Sequence, residues 1–231
     1  MKQLPLPYSQ RIIFVDWHGV ISKDPFWTSI LGSKKHPLYS QLEEKLSDVF
    51  SCEETTHDWM KGIISTHEII SEMGIWMDQR FQPDFLLRRL EIDCTRMHVN
   101  MELLEVLGRF KYKVPIVLAT DNMDCFARSF NRSREKSRNS KKQYESHMAD
   151  WAIFFDDIVC SSDVGTLKAE NPFDFFTPLL SEYWLQFSDA LLIDDRADNC
   201  EAFRRLGGRA IQWKMGSSNI KEIVETLIHW L

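Results

Sequence analysis

The chain has no Cys-x-x-Cys pair, no long apolar run and no excess of basic charge, and each absence removes a class of function. Its five cysteines, Cys52, Cys94, Cys125, Cys160 and Cys200, are scattered and odd in number. That argues against a disulfide framework and a thiolate zinc site, and fits a reducing cytoplasm. His36, His57 and His67 lack metal-ligand spacing as well. No stretch approaches the roughly 18 uncharged apolar residues that span a bilayer. The opening Met-Lys-Gln-Leu-Pro-Leu-Pro lacks the apolar segment of a secretion signal. A cytoplasmic protein without membrane association is expected. The net charge of −6 opposes a whole-surface grip on nucleic acid or anionic lipid, because phosphate repulsion dominates at long range. What is present is ordinary globular material: 231 residues, 44% hydrophobic and 27% charged, enough for one sizeable domain and a small accessory one.

Arg11-Ile-Ile-Phe-Val-Asp16 is a short apolar run that ends abruptly in an acid. Val114 to Thr120, residues 153–159, and Ala190-Leu-Leu-Ile-Asp194 share that form, and Arg209 to Trp213 is a shorter fifth. Continuous apolar runs of this length read as strands buried on both faces, as in a parallel sheet. Helical spacing lies between and after them: Leu103, Leu104, Leu107 and Phe110; Ala202, Phe203 and Leu206 before Gly207-Gly208; and Ile220 to Leu231 behind Ser217-Ser218-Asn219. Strand–helix alternation with short links predicts right-handed βαβ units and an α/β, Rossmann-like, doubly wound parallel sheet.

About 95 residues separate Asp16 from Val114, far more than the dozen or so a crossover requires. Within them Leu42, Leu46, Val49 and Phe50 form one helical stripe, and Phe85, Leu86, Leu87 and Leu90 another. Trp59, Met60, Ile63, Ile64, Ile69 and Ile70 add apolar mass, and Phe26, Trp27, Trp59 and Trp76 read as core aromatics. Residues 22–96 are therefore expected to be a small helical domain inserted into a core made of residues 1–21 and 97–231. The run 128–142 carries seven basic residues against one acid with almost no apolar content. It is expected to be an exposed loop or a solvated, weakly helical segment; a contact with RNA phosphates is its alternative use.

In an open parallel sheet, ligands bind at the carboxyl ends of the strands, near the reversal of strand order. The polar residues that end the runs should converge there: Asp16 and His18, then Thr120, then Asp194 and Asp195. Three carboxylates side by side need a compensating cation. A hard, oxygen-preferring ion, most simply Mg²⁺, supplies it. Such a site suits phosphoryl transfer, with one carboxylate attacking phosphorus while an ammonium and a hydroxyl hold the remaining oxygens. Lys168 and Thr120 are of the right types.

These residues also match a known family. Asp16-Trp17-His18-Gly19-Val20 resembles the first motif of the haloacid dehalogenase superfamily, and Leu118-Ala-Thr120-Asp121-Asn122 the second. Gly165-Thr-Leu-Lys168-Ala-Glu-Asn-Pro172 resembles the third, and Leu192-Ile-Asp194-Asp195-Arg-Ala-Asp198-Asn199 the fourth. The motifs stand in the family's order across nearly the whole chain. The resemblance implies a Rossmann-like core with a helical cap inserted after the first motif, and a Mg²⁺-dependent phosphatase acting on a phosphorylated small molecule. It implies that Asp16 forms an aspartyl-phosphate. Thr120, with Asp121 and Asn122 of its motif, and Lys168 would bind the phosphoryl group. Asp16, Asp194, Asp195 and the His18 carbonyl would hold Mg²⁺. Asp198 and Asn199 either share this work or only orient their loop.

One position departs from the pattern: the second aspartate of the first motif, which serves as acid and base, is His18 here. An imidazole can do both jobs near neutral pH. Family members without that aspartate include dehalogenases and the phosphonoacetaldehyde hydrolases, which carry Trp after the nucleophile. Cleavage of a carbon–halogen or carbon–phosphorus bond is therefore the first alternative, the latter with a Schiff-base lysine among Lys23, Lys34, Lys35 and Lys61. An inactive nucleic-acid-binding module using residues 128–142 is the second.

Overall fold

A computed structural model describes residues 10–139, 149–152, 154–216 and 220–231. In chain order the elements are β1 (Ile12–Val15), α1 (Thr28–Leu31), α2 (Tyr39–Ser51), α3 (Glu53–Met60), α4 (Thr66–Met73), α5 (Phe85–Cys94), α6 (Met101–Gly108), β2 (Ile116–Thr120), α7 (Asp124–Asn139), α8 (Ala149–Ala152), β3 (Asp157–Cys160), α9 (Ser161–Val164), α10 (Pro172–Glu182), a 3-10 turn (Phe187–Asp189), β4 (Ala190–Asp194), α11 (Ala197–Arg205), β5 (Arg209–Gln212) and α12 (Ile220–Trp230). The strands form one parallel sheet of order β3-β2-β1-β4-β5. Ile13 lies beside Ile116 on one flank and Leu191 on the other. The chain builds outward from β1 in one direction, then returns to build outward in the other. The reversal therefore falls beside β1 and β4, where a crevice opens at their carboxyl ends.

The central strands are apolar throughout because both sheet faces are covered. Alternation along β1 sends Ile12 and Phe14 to one face and Ile13 and Val15 to the other. On the first face Phe14 meets Phe176 of α10 edge-on at 4.9 Å and Phe203 of α11 at 6.2 Å. Each such ring stabilises by roughly 1.5–3 kcal/mol through burial. On the second face Ile13, Val15, Leu118 and Ile193 pack with α6, α7 and α12, and the same apolar cluster runs on without a break into Trp27, Leu42, Trp59, Ile69 and Leu90 of the inserted helices. Trp17, directly after the strand-end acid, joins the two parts. It is buried against Phe126 (5.1 Å) and Trp151 (4.4 Å), and its indole N–H points at Met97 sulfur, 3.3 Å away.

Three expectations need correction. The basic run takes the helical alternative, belonging to α7 as far as Asn139, but it is not fully solvated; residues 140–142 lie outside the described residues. Cys125, Phe126, Ser129, Phe130, Ser133 and Arg134 give α7 a buried stripe at helical spacing. Phe130 packs on Trp151 at 5.5 Å, and the Arg134 guanidinium donates to the Asp156 carbonyl at 2.5 Å. The third strand begins at Asp157, so Phe154 and Phe155 precede it in a turn. Trp76 is 71% exposed and belongs to no core. Among the described residues no helix is long and apolar enough to cross a membrane.

Candidate active site

Four elements end or begin at the crevice. Asp16 follows β1, Thr120 ends β2, Asp194 ends β4 with Asp195 next, and Lys168 stands in the segment between α9 and α10. Lys168 is 1% exposed, and each of its three ammonium hydrogens has an acceptor: Asp16 Oδ1 at 2.7 Å, Asp194 Oδ2 at 2.6 Å and the Ala119 carbonyl at 3.2 Å. One side chain thus ties together the ends of three strands. Burial alone would lower its pKa; the carboxylates of Asp16, Asp194 and Asp121 outweigh burial and hold it above the ordinary lysine value. Its backbone N–H donates to Asp121 Oδ1 at 3.0 Å, so Asp121 fixes the segment that carries the lysine.

Asp194 is fully buried, and its oxygens accept from Lys168, from the Arg196 backbone N–H at 2.9 Å and from Asn199 Nδ2 at 3.1 Å each. That fills the roughly four lone-pair sites of a carboxylate. Asp195 is half-buried. Burial, then the charge of Asp194, raise its pKa, against the pull of Lys168, His18 and Lys214. Burial likewise pushes the Asp16 carboxyl well above the usual range, against the opposing pull of Lys168 and with Asp194 adding to the rise.

Asp16, Asp194 and Asp195 bring carboxylate oxygens within 4.8 Å of one another, the only such acidic cluster able to hold a metal among the described residues. With Asp121 they make four carboxyl groups around a single ammonium. The donor set is all oxygen and in excess of its counter-charge, which fits a hard divalent cation such as Mg²⁺. Gly19 sets the approach: at φ +87° a Cβ there would lie 2.3 Å from Asp195 Oδ2, so a side chain at this turn would collide with the acid. His18 is exposed, bridges Ser22 through the backbone and faces Asp195 closely enough to act on its charge.

The Thr120 hydroxyl, on a residue 1% exposed, has no hydrogen-bond partner. An orphaned buried hydroxyl at a strand's carboxyl end is costly unless a ligand group uses it. Asn122 is buried beneath the same loop, its carboxamide oxygen accepting the Met123 amide at 3.1 Å and its own amide donating to Ser161 Oγ at 2.8 Å. These two bonds shape the loop. Of the lysines considered for a Schiff base, Lys61 lies 3.5 Å from Glu170 and 3.7 Å from Asp58, and the Lys23 ammonium donates to the Met215 carbonyl. Trp17 is a packing residue. Sequence reasoning overlooked Arg196, whose backbone fixes Asp194, and Ser161; a lone Ser in Cys160-Ser-Ser carries no signal of its own.

The architecture has close counterparts among solved structures. A predicted HAD-like family hydrolase from Porphyromonas gingivalis superposes with a TM-score of 0.61 at 16% identity, covering 95% of this chain and 98% of its own. A variant of a HAD family enzyme from Bacteroides thetaiotaomicron, in complex with magnesium and inorganic phosphate, gives 0.59 at 15%, covering 92% and 98%. A 2-haloacid dehalogenase from Pseudomonas syringae pv. tomato gives 0.55 at 13%, covering 96% and 99%. No protein-family model and no curated protein matches the sequence. At these identities the likeness establishes the fold: the chain has the α/β fold of the haloacid dehalogenase-like hydrolases, as the four motifs imply.

Proposed function

We propose that this protein is a Mg²⁺-dependent phosphatase that acts on a phosphorylated small molecule through an aspartyl-phosphate at Asp16. The observation that carries the reading is the saturated Lys168 ammonium between Asp16 and Asp194, with the unpartnered Thr120 hydroxyl at the neighbouring strand end. A phosphoryl group entering here meets a carboxylate nucleophile held in place, an ammonium beside it and a hydroxyl free to donate.

In this reading an Asp16 oxygen attacks phosphorus, the bond from phosphorus to the leaving oxygen breaks, and His18 supplies the proton that oxygen takes up. Water activated by the same imidazole then cleaves the acyl-phosphate, returning Asp16 and releasing inorganic phosphate. Thr120 donates to a non-bridging oxygen, while Lys168, its hydrogens engaged by Asp16, Asp194 and the Ala119 carbonyl, stabilises the phosphoryl group by its charge. Asp121 and Asn122 support them by shaping the loop. Mg²⁺, when bound by Asp16, Asp195 and the His18 carbonyl beside Asp194, supplies positive charge to the phosphoryl oxygens. Residues 22–96 act as the cap over the crevice, with residues 1–21 and 97–231 as the core. Arg128, Arg132 and Arg134 of α7 serve packing and ion pairs, and RNA binding is not part of this function.

The test is turnover of p-nitrophenyl phosphate and of a panel of phosphorylated metabolites by pure protein. Activity should require Mg²⁺, disappear with EDTA and fall by at least about 10³-fold in Asp16→Asn, the scale seen when a covalent nucleophile is removed. Wild-type protein inert toward every phosphate, yet active on 2-haloacids without Mg²⁺, would replace the proposal with dehalogenation.

A further inference from the structure

The turn between α3 and α4 meets the loop after β2 through one side chain. Ser161, the first residue of α9, is fully buried. Its hydroxyl accepts the Asn122 amide at 2.8 Å and faces two carbonyls, Met60 at 2.6 Å and Asn122 at 3.3 Å. A serine has one hydroxyl hydrogen, so only one carbonyl is served at a time. The nearer belongs to the inserted segment, 101 residues away in sequence.

Close backbone approach delivers that carbonyl. Gly62 has φ +72°, and a Cβ there would lie 2.6 Å from the Ser162 carbonyl oxygen. Four residues on, the Thr66 amide donates to Asp124 Oδ1 at 3.2 Å, the Thr66 hydroxyl donates to the same oxygen, and Trp59 Nε1 donates to that hydroxyl at 3.0 Å. Residues 60–66 are thus seated against the first residues of α7 and α9. The seat lies on the same loop that presents Thr120 to the crevice.

We infer that Ser161 is a positioning residue that couples the seating of the inserted helices to the shape of the Thr120–Asn122 loop; the inference rests on the reading of that loop as the phosphoryl-binding one. With the turn seated, the hydroxyl hydrogen goes to Met60 and the oxygen's lone pair holds the Asn122 amide. With the turn withdrawn, the hydrogen swings to the Asn122 carbonyl and draws that peptide toward α9. The loop then loses the tilt that aims Thr120 beside Lys168. The site is assembled only while the turn is seated.

The experiment uses the intact chain and three variants. Gly62→Ala pushes the turn off Ser162, Ser161→Ala removes the coupling hydroxyl, and Ser161→Thr retains it. With p-nitrophenyl phosphate and Mg²⁺, Gly62→Ala and Ser161→Ala should each lower kcat about 10- to 100-fold, as small misplacements of reacting groups do, with KM moving less than about twofold. The double variant should be no worse than the weaker single one, and Ser161→Thr should recover most of the loss. Multiplicative losses would overturn the coupling.

Amide hydrogen exchange reads the same coupling without turnover. Asn122 should exchange faster in Gly62→Ala, and the amides of residues 60–63 faster in Ser161→Ala, because coupling is reciprocal. Asn122 exchanging at the wild-type rate in Gly62→Ala, or an unmoved 60–63 segment in Ser161→Ala, refutes the inference. Wild-type protein with no phosphatase activity but with both exchange effects would instead sink the proposed reaction and leave the coupling standing.

Discussion

Two regions hold most of this protein's concentrated charge and treat it in opposite ways. At the crevice Asp16, Asp194 and Lys168 are buried, arrive from distant parts of the chain and satisfy one another. Along α7 the arginines mostly lie near the surface and pair locally: Arg128 with Asp124 one turn away and with Glu91 of α5, and Arg132 with Glu91 at 3.1 Å. Desolvating an ion costs several kcal/mol and is repaid only by excellent geometry, whereas an exposed pair contributes about 0–1 kcal/mol at no such cost. Charge kept where it is expensive is charge retained for chemistry. Charge kept where it is cheap fastens one helix to another.

The contrast is broken most forcefully at Lys168. Lys168→Met removes the ammonium shared by Asp16 and Asp194, leaving Asp16 buried without its donor and Asp194 with only the uncharged N–H groups of the Arg196 backbone and Asn199. Losing one member of a buried ionic group costs about 3–5 kcal/mol, and urea unfolding of metal-free protein should show a loss of that size. A loss below about 1 kcal/mol would put the crevice in the same class as the α7 surface.

Gly19 tests whether the acids are placed by backbone constraint. In Gly19→Ala the new methyl meets Asp195 Oδ2 at a φ of +87°, a conformation costing a non-glycine residue about 1–3 kcal/mol. Stability should fall by that amount. Calorimetry should also show Mg²⁺ binding weakened about tenfold or more, because Asp195 has to move. Weakened folding with unchanged Mg²⁺ affinity would remove Asp195 from the metal site.

Why one region was readable in the sequence and the other was not follows from the same contrast. Strands buried on both faces have to be apolar, so Ile12–Val15 and Ala190–Asp194 stand out, and an acid ending such a run is conspicuous. Asp16, Thr120, Lys168, Asp194 and Asp195 could each be picked out locally, and the topology then brings them together. The α7 stripe could not. Ser129, Ser133 and Arg134 are buried polar residues, and only Phe126 and Phe130 supply large apolar groups, so the periodicity was masked by composition. Residues 153–159 misled for the converse reason. Phe154 and Phe155 are as apolar as a strand, but they fill the space beside Phe130 and Lys111 rather than joining the ladder; a short apolar run does not declare its geometry. Ser161 was invisible because its partners, Met60 and Asn122, contribute backbone atoms only.

Asp16 gives the comparison a pH axis. Burial and the neighbouring Asp194 raise its pKa above the ordinary 3.8, and Asp121 and Asp195 are raised too, chiefly by burial. The folded state therefore holds protons that the unfolded chain has already released. In metal-free protein stability should decline as pH rises from about 4 through the raised values, each proton contributing at most about 1.4 kcal/mol per pH unit. Lys168 works in the same sense at far higher pH: its contribution is complete below the unfolded lysine value of 10.5 and is lost as pH rises through the raised folded one. Asp16→Asn should flatten the decline without abolishing it, since Asp121 and Asp195 remain. Equilibrium unfolding between pH 4 and 8 with and without the substitution measures this, and an undiminished slope would mean that Asp16 is ionised in the folded protein.

The smallest effect belongs to α7. Arg128→Gln with Arg132→Gln removes both cations from Glu91, which is itself only partly buried. Exposed pairs of this kind carry little net energy and are screened by salt. The double variant should lose less than about 1 kcal/mol in 50 mM salt and still less in 1 M, with phosphatase kinetics unchanged. A loss well above 2 kcal/mol that survives high salt would show that the α5–α7 contact is held by charge in the manner of the crevice. The cheap and the expensive charges of this molecule would then no longer be separable by burial, and the argument that burial marks the chemistry would fail with them.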